Sequence, residues 1–299
     1  MKKYLSLFKV SIIGVGLIGG SFGLALKKKR LVGQVVGIGR HIHKLKEAKR
    51  LGAIDTYTTD FGKGVKDSDV VMIATPVSKI PLIVTRILPY LKDGCIITDV
   101  GSTKEKVVKE VQEILSKSSG KGRKPKVSFI GGHPMAGSEK QGVRNARADI
   151  FSGTTCILTP ADKNGRKVVK IVRNLWERMG ARILLLKPEE HDYLVAYTSH
   201  LPHVLASTLA NLIGRVRKKD PRASRIIAGS ISDMTRIAAS NPEMWIDICL
   251  SNSKAISESI NVTVKNLEKF KRSIEKKRKK ELQDLFHEGR LVRRKLIKS

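Results

Sequence analysis

Gly14-Val15-Gly16-Leu17-Ile18-Gly19 sits between an apolar run at residues 8–13 and a helical pattern at 21–29, and no other stretch limits the fold so tightly. Glycines at this spacing suit a tight turn at Gly14, a close backbone approach at Gly16 and helix packing at Gly19. The N-terminus of the helix that follows would offer its N–H groups and partial positive charge to a pyrophosphate, with Leu17 and Ile18 among the cofactor-binding residues. A third apolar run at 35–38 completes a βαβ unit. The GxGxxG pattern is weak in isolation, but its place between a strand and a helix makes it a dinucleotide-binding fingerprint.

Short apolar runs at 70–74, 95–99, 127–130, 155–158 and 183–186 alternate with helical stretches, which predicts a mostly parallel, doubly wound sheet. Residues 116–126, rich in Ser, Gly and Lys, read as an exposed loop. After Pro188 the texture changes to amphipathic patterns at 189–212, 224–240, 242–251 and 257–296, with Pro202, Pro221 and Pro242 at plausible helix starts or breaks. The last pattern reads as one long surface or subunit-pairing helix. The expected class is α/β: an N-terminal Rossmann-type dinucleotide-binding domain over 1–187, then an all-α C-terminal domain over 188–299.

The 299 residues suffice for two domains with real cores, and 41% hydrophobic content is ordinary for such a protein. Three well-separated cysteines, Cys95, Cys156 and Cys249, show neither disulfide nor zinc-ligand spacing, which suits a reducing cytoplasm. The apolar run at 10–26, preceded by Lys2 and Lys3, imitates a signal peptide or membrane span. Its five glycines argue against that, so no targeting segment and no membrane association are expected. The formal net charge of +31 is spread along the chain without aromatic platforms or a nucleic-acid-binding motif. A solvated basic surface is expected, with no specific nucleic-acid partner.

Several strand ends point into one crevice, where open α/β sheets bind ligands. Past the second strand stands Gly37-Ile38-Gly39-Arg40-His41, with no carboxylate to accept from a ribose 2′-hydroxyl and a guanidinium at Arg40 able to hold a 2′-phosphate. NADP is therefore favoured over NAD. Thr75 and Pro76 follow a later strand. Ser102, in Asp99-Val100-Gly101-Ser102-Thr103-Lys104, is either a partner for a substrate oxygen or, with Thr103, a helix cap. His133, in Gly131-Gly132-His133-Pro134-Met135-Ala136-Gly137-Ser138-Glu139, is placed in a glycine-rich turn. Its ordinary pKa of about 6.5 equips it to accept a proton beside a nicotinamide. In the helical half, His200 and His203 share a face but find no convincing third ligand beyond Asp192 or His191, so no metal is expected. Arg236 is set among Ile237, Ala238 and Ala239, either snorkelling to solvent or awaiting a carboxylate.

Taken together, GVGLIGGS, ATPVS, TDVGSTK, GGHPMAGSE, HDxxxAxTSHLPH, TRIA and NPEMW resemble the prephenate and arogenate dehydrogenase family of tyrosine biosynthesis. The match runs over most of the chain, with HPMAGSE and TSHLPH its most specific pieces. The resemblance implies oxidative decarboxylation of prephenate, or of arogenate, with hydride transfer to NAD or NADP. It implies that His133 takes the ring-hydroxyl proton, that Ser102 supports that hydroxyl, that Arg236 holds a substrate carboxylate and that His203 reads the side chain. His200, Glu139, Asp192 and Trp245 match family positions that line or order the site. A homodimer built by the helical domain is likewise implied.

Overall fold

The computed structural model describes residues 7–118, 125–137, 140–161 and 165–298. Eight strands form one sheet among the described residues, in the order β3-β2-β1-β4-β5-β6-β7-β8. They are β1 (Leu7–Ile13), β2 (Val32–Ile38), β3 (Thr56–Thr58), β4 (Val70–Ile73), β5 (Ile96–Asp99), β6 (Ser128–Pro134), β7 (Thr155–Pro160) and β8 (Arg182–Leu185). All neighbours are parallel except β6 and β7. Chain order reverses between β1 and β4, which opens a crevice beyond their carboxyl ends.

Helices α1 (Leu17–Lys28), α2 (Ile42–Arg50), α3 (Phe61–Val65), α4 (Ile80–Ile87), α5 (Glu105–Ser118) and α6 (Arg166–Arg178) are interleaved with the strands. Alternate residues of the buried strands feed two cores. Val10 and Ile12 join Phe22, Leu26, Leu45 and Trp176 on one face. Ile13, Val71 and Ile73 join Ile80, Val84 and Val111 on the other. Burial on both faces explains why these strands read as continuous apolar runs.

From Pro188 onward the described chain is helical: α7 (Pro188–Val195), one π-helical turn (Ala196–His200), α8 (Leu201–Lys219), α9 (Gly229–Thr235), α10 (Pro242–Ser251), α11 (Ser253–Glu275) and α12 (Lys279–Lys298). Contacts divide the chain into one compact unit over Met1–Ser253 and a second over Lys254–Ser299. In the second unit, Phe270 and Phe286 meet edge to face at 5.4 Å and Ser273 donates to Glu281 at 2.8 Å.

Four expectations change. The single helix expected at 257–296 is two helices, parted at a turn where Lys277 takes a left-handed φ of 49° and the backbone bends back. Helix α5 runs into the expected 116–126 loop as far as Ser118, while residues 119–124 lie outside the described residues. The short strand β3 was not foreseen. His133 lies not in a turn but in β6, opposite Ile157 of β7. Gly131 and Gly132 serve close packing there: a Cβ on Gly131 would lie 2.4 Å from Thr159 Oγ1, and one on Gly132 would lie 2.6 Å from the Asp99 carbonyl oxygen.

Candidate active site

The glycine fingerprint is built as a cradle. Gly14 has φ +93°, and a Cβ there would lie 2.4 Å from the Ala74 carbonyl oxygen. Gly19 is equally crowded by the Gly14 carbonyl, whereas the space where Gly16 would carry a side chain is open. Gly16 caps α1 without a side-chain hydrogen bond, so the first-turn N–H groups of Leu17 and Ile18 have no intrahelical acceptors. Thr75, just past β4, has a buried hydroxyl without a hydrogen-bond partner, and Pro76 next to it is exposed. Helix dipole, open space and orphan hydroxyl fit a dinucleotide's phosphates. Arg40 is exposed just beyond β2, and no carboxylate stands between Ile38 and Leu45.

At the carboxyl end of β6, His133 is 8% exposed. Its Nδ1 lies 2.8 Å from His191 Nε2, and His191 Nδ1 lies 2.7 Å from Asp192 Oδ1. The Asp192 carboxylate also accepts from the backbone N–H groups of Lys104 (2.7 Å) and Glu105 (3.0 Å), capping α5 from another element. These contacts settle the tautomers. The Asp192 carboxylate accepts the His191 Nδ1–H, so His191 Nε2 is an acceptor and His133 Nδ1 donates to it. The Nε2 lone pair of His133 is thereby left as its basic site. Burial lowers the His133 pKa well below 6.5, and the neighbouring His191, Lys104 and His200 add to the effect. Burial also lowers the His191 pKa, against the opposing effect of its hydrogen bond to Asp192. Both rings are neutral near pH 7.

A second cluster adjoins this relay. His200 ends the π-helical turn, and burial lowers it to about 4 against the pull of Asp192. The Asn252 side-chain amide donates to the Asp192 carbonyl at 2.7 Å and to His200 Nδ1 at 3.2 Å, so the His200 proton resides on Nε2. That Nε2–H and the Trp245 Nε1–H are buried donors without a hydrogen-bond partner. The His203 ring stacks on Trp245 at 3.8 Å, and the Trp245 ring meets His200 edge-on at 6.0 Å. His203 Nδ1 donates to the Ser199 carbonyl at 3.0 Å. Burial lowers the His203 pKa, and the Arg236 guanidinium contributes. Ser102 is half-buried in the loop after β5, and its backbone acts on His200. The flanking Gly101 and Thr103 are tied to Asp99 and Ser251.

The structure thus gathers His133, Ser102, His200, His203, Trp245 and Arg236 around the carboxyl ends of the central strands. Glu139 lies outside the described residues. No group of three metal-ligating side chains is found among the described residues. Sequence reasoning missed the orienting roles of His191 and Asn252 and assigned none to Asp99 or Lys104. The adjacent His191-Asp192 pair was the available signal.

Two family models match consecutive segments. Prephenate dehydrogenase, nucleotide-binding domain, covers residues 22–185, and prephenate dehydrogenase, dimerization domain, covers 187–288. The chain belongs to the prephenate dehydrogenase family. It is an oxidoreductase with a nicotinamide dinucleotide-binding domain and a dimerisation domain of that family. The prephenate dehydrogenase of Bacillus subtilis (strain 168) is 36% identical over 268 residues, spanning 89% of this chain and 70% of that protein. The cyclohexadienyl dehydrogenase of Zymomonas mobilis is 33% identical, over 90% of each chain. The crystal structure of Aquifex aeolicus prephenate dehydrogenase, with hydroxyphenyl propionate and NAD+, superposes with a TM-score of 0.88 at 33% identity. It covers 98% of this chain and 100% of that one. No described helix is long and apolar enough to cross a membrane.

Proposed function

We propose that this chain oxidises prephenate to 4-hydroxyphenylpyruvate and carbon dioxide, with His133 as the base. The observation that carries this reading is the Asp192–His191–His133 relay, which leaves a buried, neutral Nε2 lone pair at a strand end of the sheet that also carries the dinucleotide cradle. A nicotinamide dinucleotide held by Gly14, Gly16, Leu17, Ile18, Gly19, Thr75 and Pro76 would supply the acceptor for the hydride leaving ring C4. His133 Nε2 takes the ring-hydroxyl proton, and Ser102 supports that oxygen. As the ring carboxylate departs as carbon dioxide, its bonding pair aromatises the ring, and the phenolate oxygen recovers a proton from His133. No net proton is released.

The substrate carries two carboxylates, and this chain offers matching donors. The unpartnered N–H groups of His200 and Trp245 suit one acceptor, and Arg236 beside His203 suits a carboxylate. Glu139 is assigned to the same site on its place in the HPMAGSE motif. The pyruvyl side chain of prephenate brings no second cation to the Arg236 end, whereas the ammonium of arogenate would, which favours prephenate. Arg40, without a competing carboxylate, favours NADP while permitting NAD.

In this reading residues 1–187 bind the dinucleotide, and residues 188–299 complete the substrate site and pair two copies into a homodimer. The exposed Leu205, Leu212 and Val216 of α8 supply apolar surface for such pairing. Free Cys95, Cys156 and Cys249 suit the cytoplasm. A spectrophotometric matrix of prephenate and arogenate against NAD and NADP tests the function. Fastest reduction of NADP with prephenate is expected, and no reduction in any cell would overturn the reading.

A further inference from the structure

Strand β6 outruns its parallel neighbour. The last paired residues of β5 and β6 are Thr98 and Ile130, so beyond them Gly131, Gly132, His133 and Pro134 are paired with β7 alone. On the vacated side the backbone of Gly132 is met by side chains. Its N–H donates to Asp99 Oδ1 at 3.1 Å, and its carbonyl accepts from Lys104 Nζ at 2.9 Å. Lys104 Nζ also binds Asp99 Oδ2, and both side chains are wholly buried, at 0% exposure each. This ion pair meets β6 just beyond the end of its pairing with β5.

The same two residues reach the rest of the site. Asp99 Oδ2 accepts from the Gly101 N–H at 2.7 Å, which fixes the loop that carries Ser102. The Lys104 N–H donates at 2.7 Å to Asp192 Oδ1, the oxygen that orients His191. Lys104 therefore ties the strand under His133 to the carboxylate at the far end of the relay. A buried ion pair gains little stability over apolar side chains of similar volume, so its value here is in directing two backbones at once.

We propose that Lys104 and Asp99 are positioning residues for the reaction, a side-chain substitute for a missing strand that sets where His133 Nε2 stands. The proposal rests on the reading of His133 as the base. Its test uses the full chain as Asp99→Asn/Lys104→Met, which removes both charges together, and as Lys104→Gln, which keeps a donor to Gly132. Melting temperature, NADPH affinity by fluorescence, and kcat, KM and the pH profile with prephenate are measured beside wild type and His133→Asn. Both variants are expected to bind NADPH as wild type does and to keep KM within about threefold. Their kcat should fall by about tenfold or more, the scale for sub-ångström to ångström misplacement of a reacting group. The acid limb of kcat/KM should move to higher pH, because a cation that disfavours protonation of His133 is gone.

Wild-type kcat and an unmoved limb in either folded variant would overturn the proposal, as would failure of both variants to fold, which would make the pair a folding element. Absence of prephenate oxidation by the wild-type chain, or its survival in His133→Asn, would instead strike the proposed function.

Discussion

At the scale of single residues, the proposed function rests on the protonation of His133. A base must be unprotonated before it accepts, so activity is lost as pH falls through its pKa. Burial lowers that pKa well below 6.5, and the acid limb of kcat/KM is therefore expected below pH 6.5. A limb at or above that value would show a solvated or ion-paired imidazole instead. His191 fixes the tautomer by accepting from His133 Nδ1. His191→Gln is expected to lower kcat by about tenfold or more with KM for prephenate little changed, as for other orienting partners. An unchanged kcat would remove His191 from the relay. His133 was legible in the sequence because a histidine within HPMAGSE is conspicuous. His191 was not, since a histidine at the start of an amphipathic helix looks like many others until β6 is laid against it. Asp99 and Lys104 were hidden for the same reason: burial of a charge is a tertiary fact.

At the scale of elements, the buried strands were readable and the exposed or irregular pieces were not. β1, β4 and β5 announce themselves because both faces are covered, leaving no polar alternation. β3 escaped because its three residues, Thr56–Thr58, lie at a sheet edge and form no apolar run. The extension of β6 escaped because glycine and proline ordinarily signal turns. Here Gly131 is required by contact, as its Cβ would lie 2.4 Å from Thr159 Oγ1. Gly131→Ala is accordingly expected to cost about 1–3 kcal/mol by overpacking, measured by denaturant unfolding, and to lower kcat by displacing His133. Adding Thr159→Ala should return part of both losses. A stable, fully active Gly131→Ala would show that β6 has room to shift.

At the scale of the whole molecule, the division into a dinucleotide-binding half and a helical half was visible as a change of texture at Pro188. The family models match residues 22–185 and 187–288. What the sequence could not show was how α7 packs on α5 and β7, and α10 on the turn after β4, because those contacts join residues as distant as Lys104 and Asp192. The net charge of +31 acts at this scale too. A cationic protein draws in a dianionic substrate, so kcat/KM is expected to fall roughly severalfold from low to physiological ionic strength while kcat holds steady. A flat kcat/KM would mean that encounter is not assisted by charge. The most direct measurement of the account is NAD(P)H formation with carbon dioxide release from prephenate, in the wild-type chain and in His133→Asn side by side. Equal amounts of the two products are predicted from wild type, with at least about a hundredfold slower turnover in a variant that still binds the dinucleotide. Reduction without decarboxylation, no reduction at all, or an unimpaired variant would contradict it.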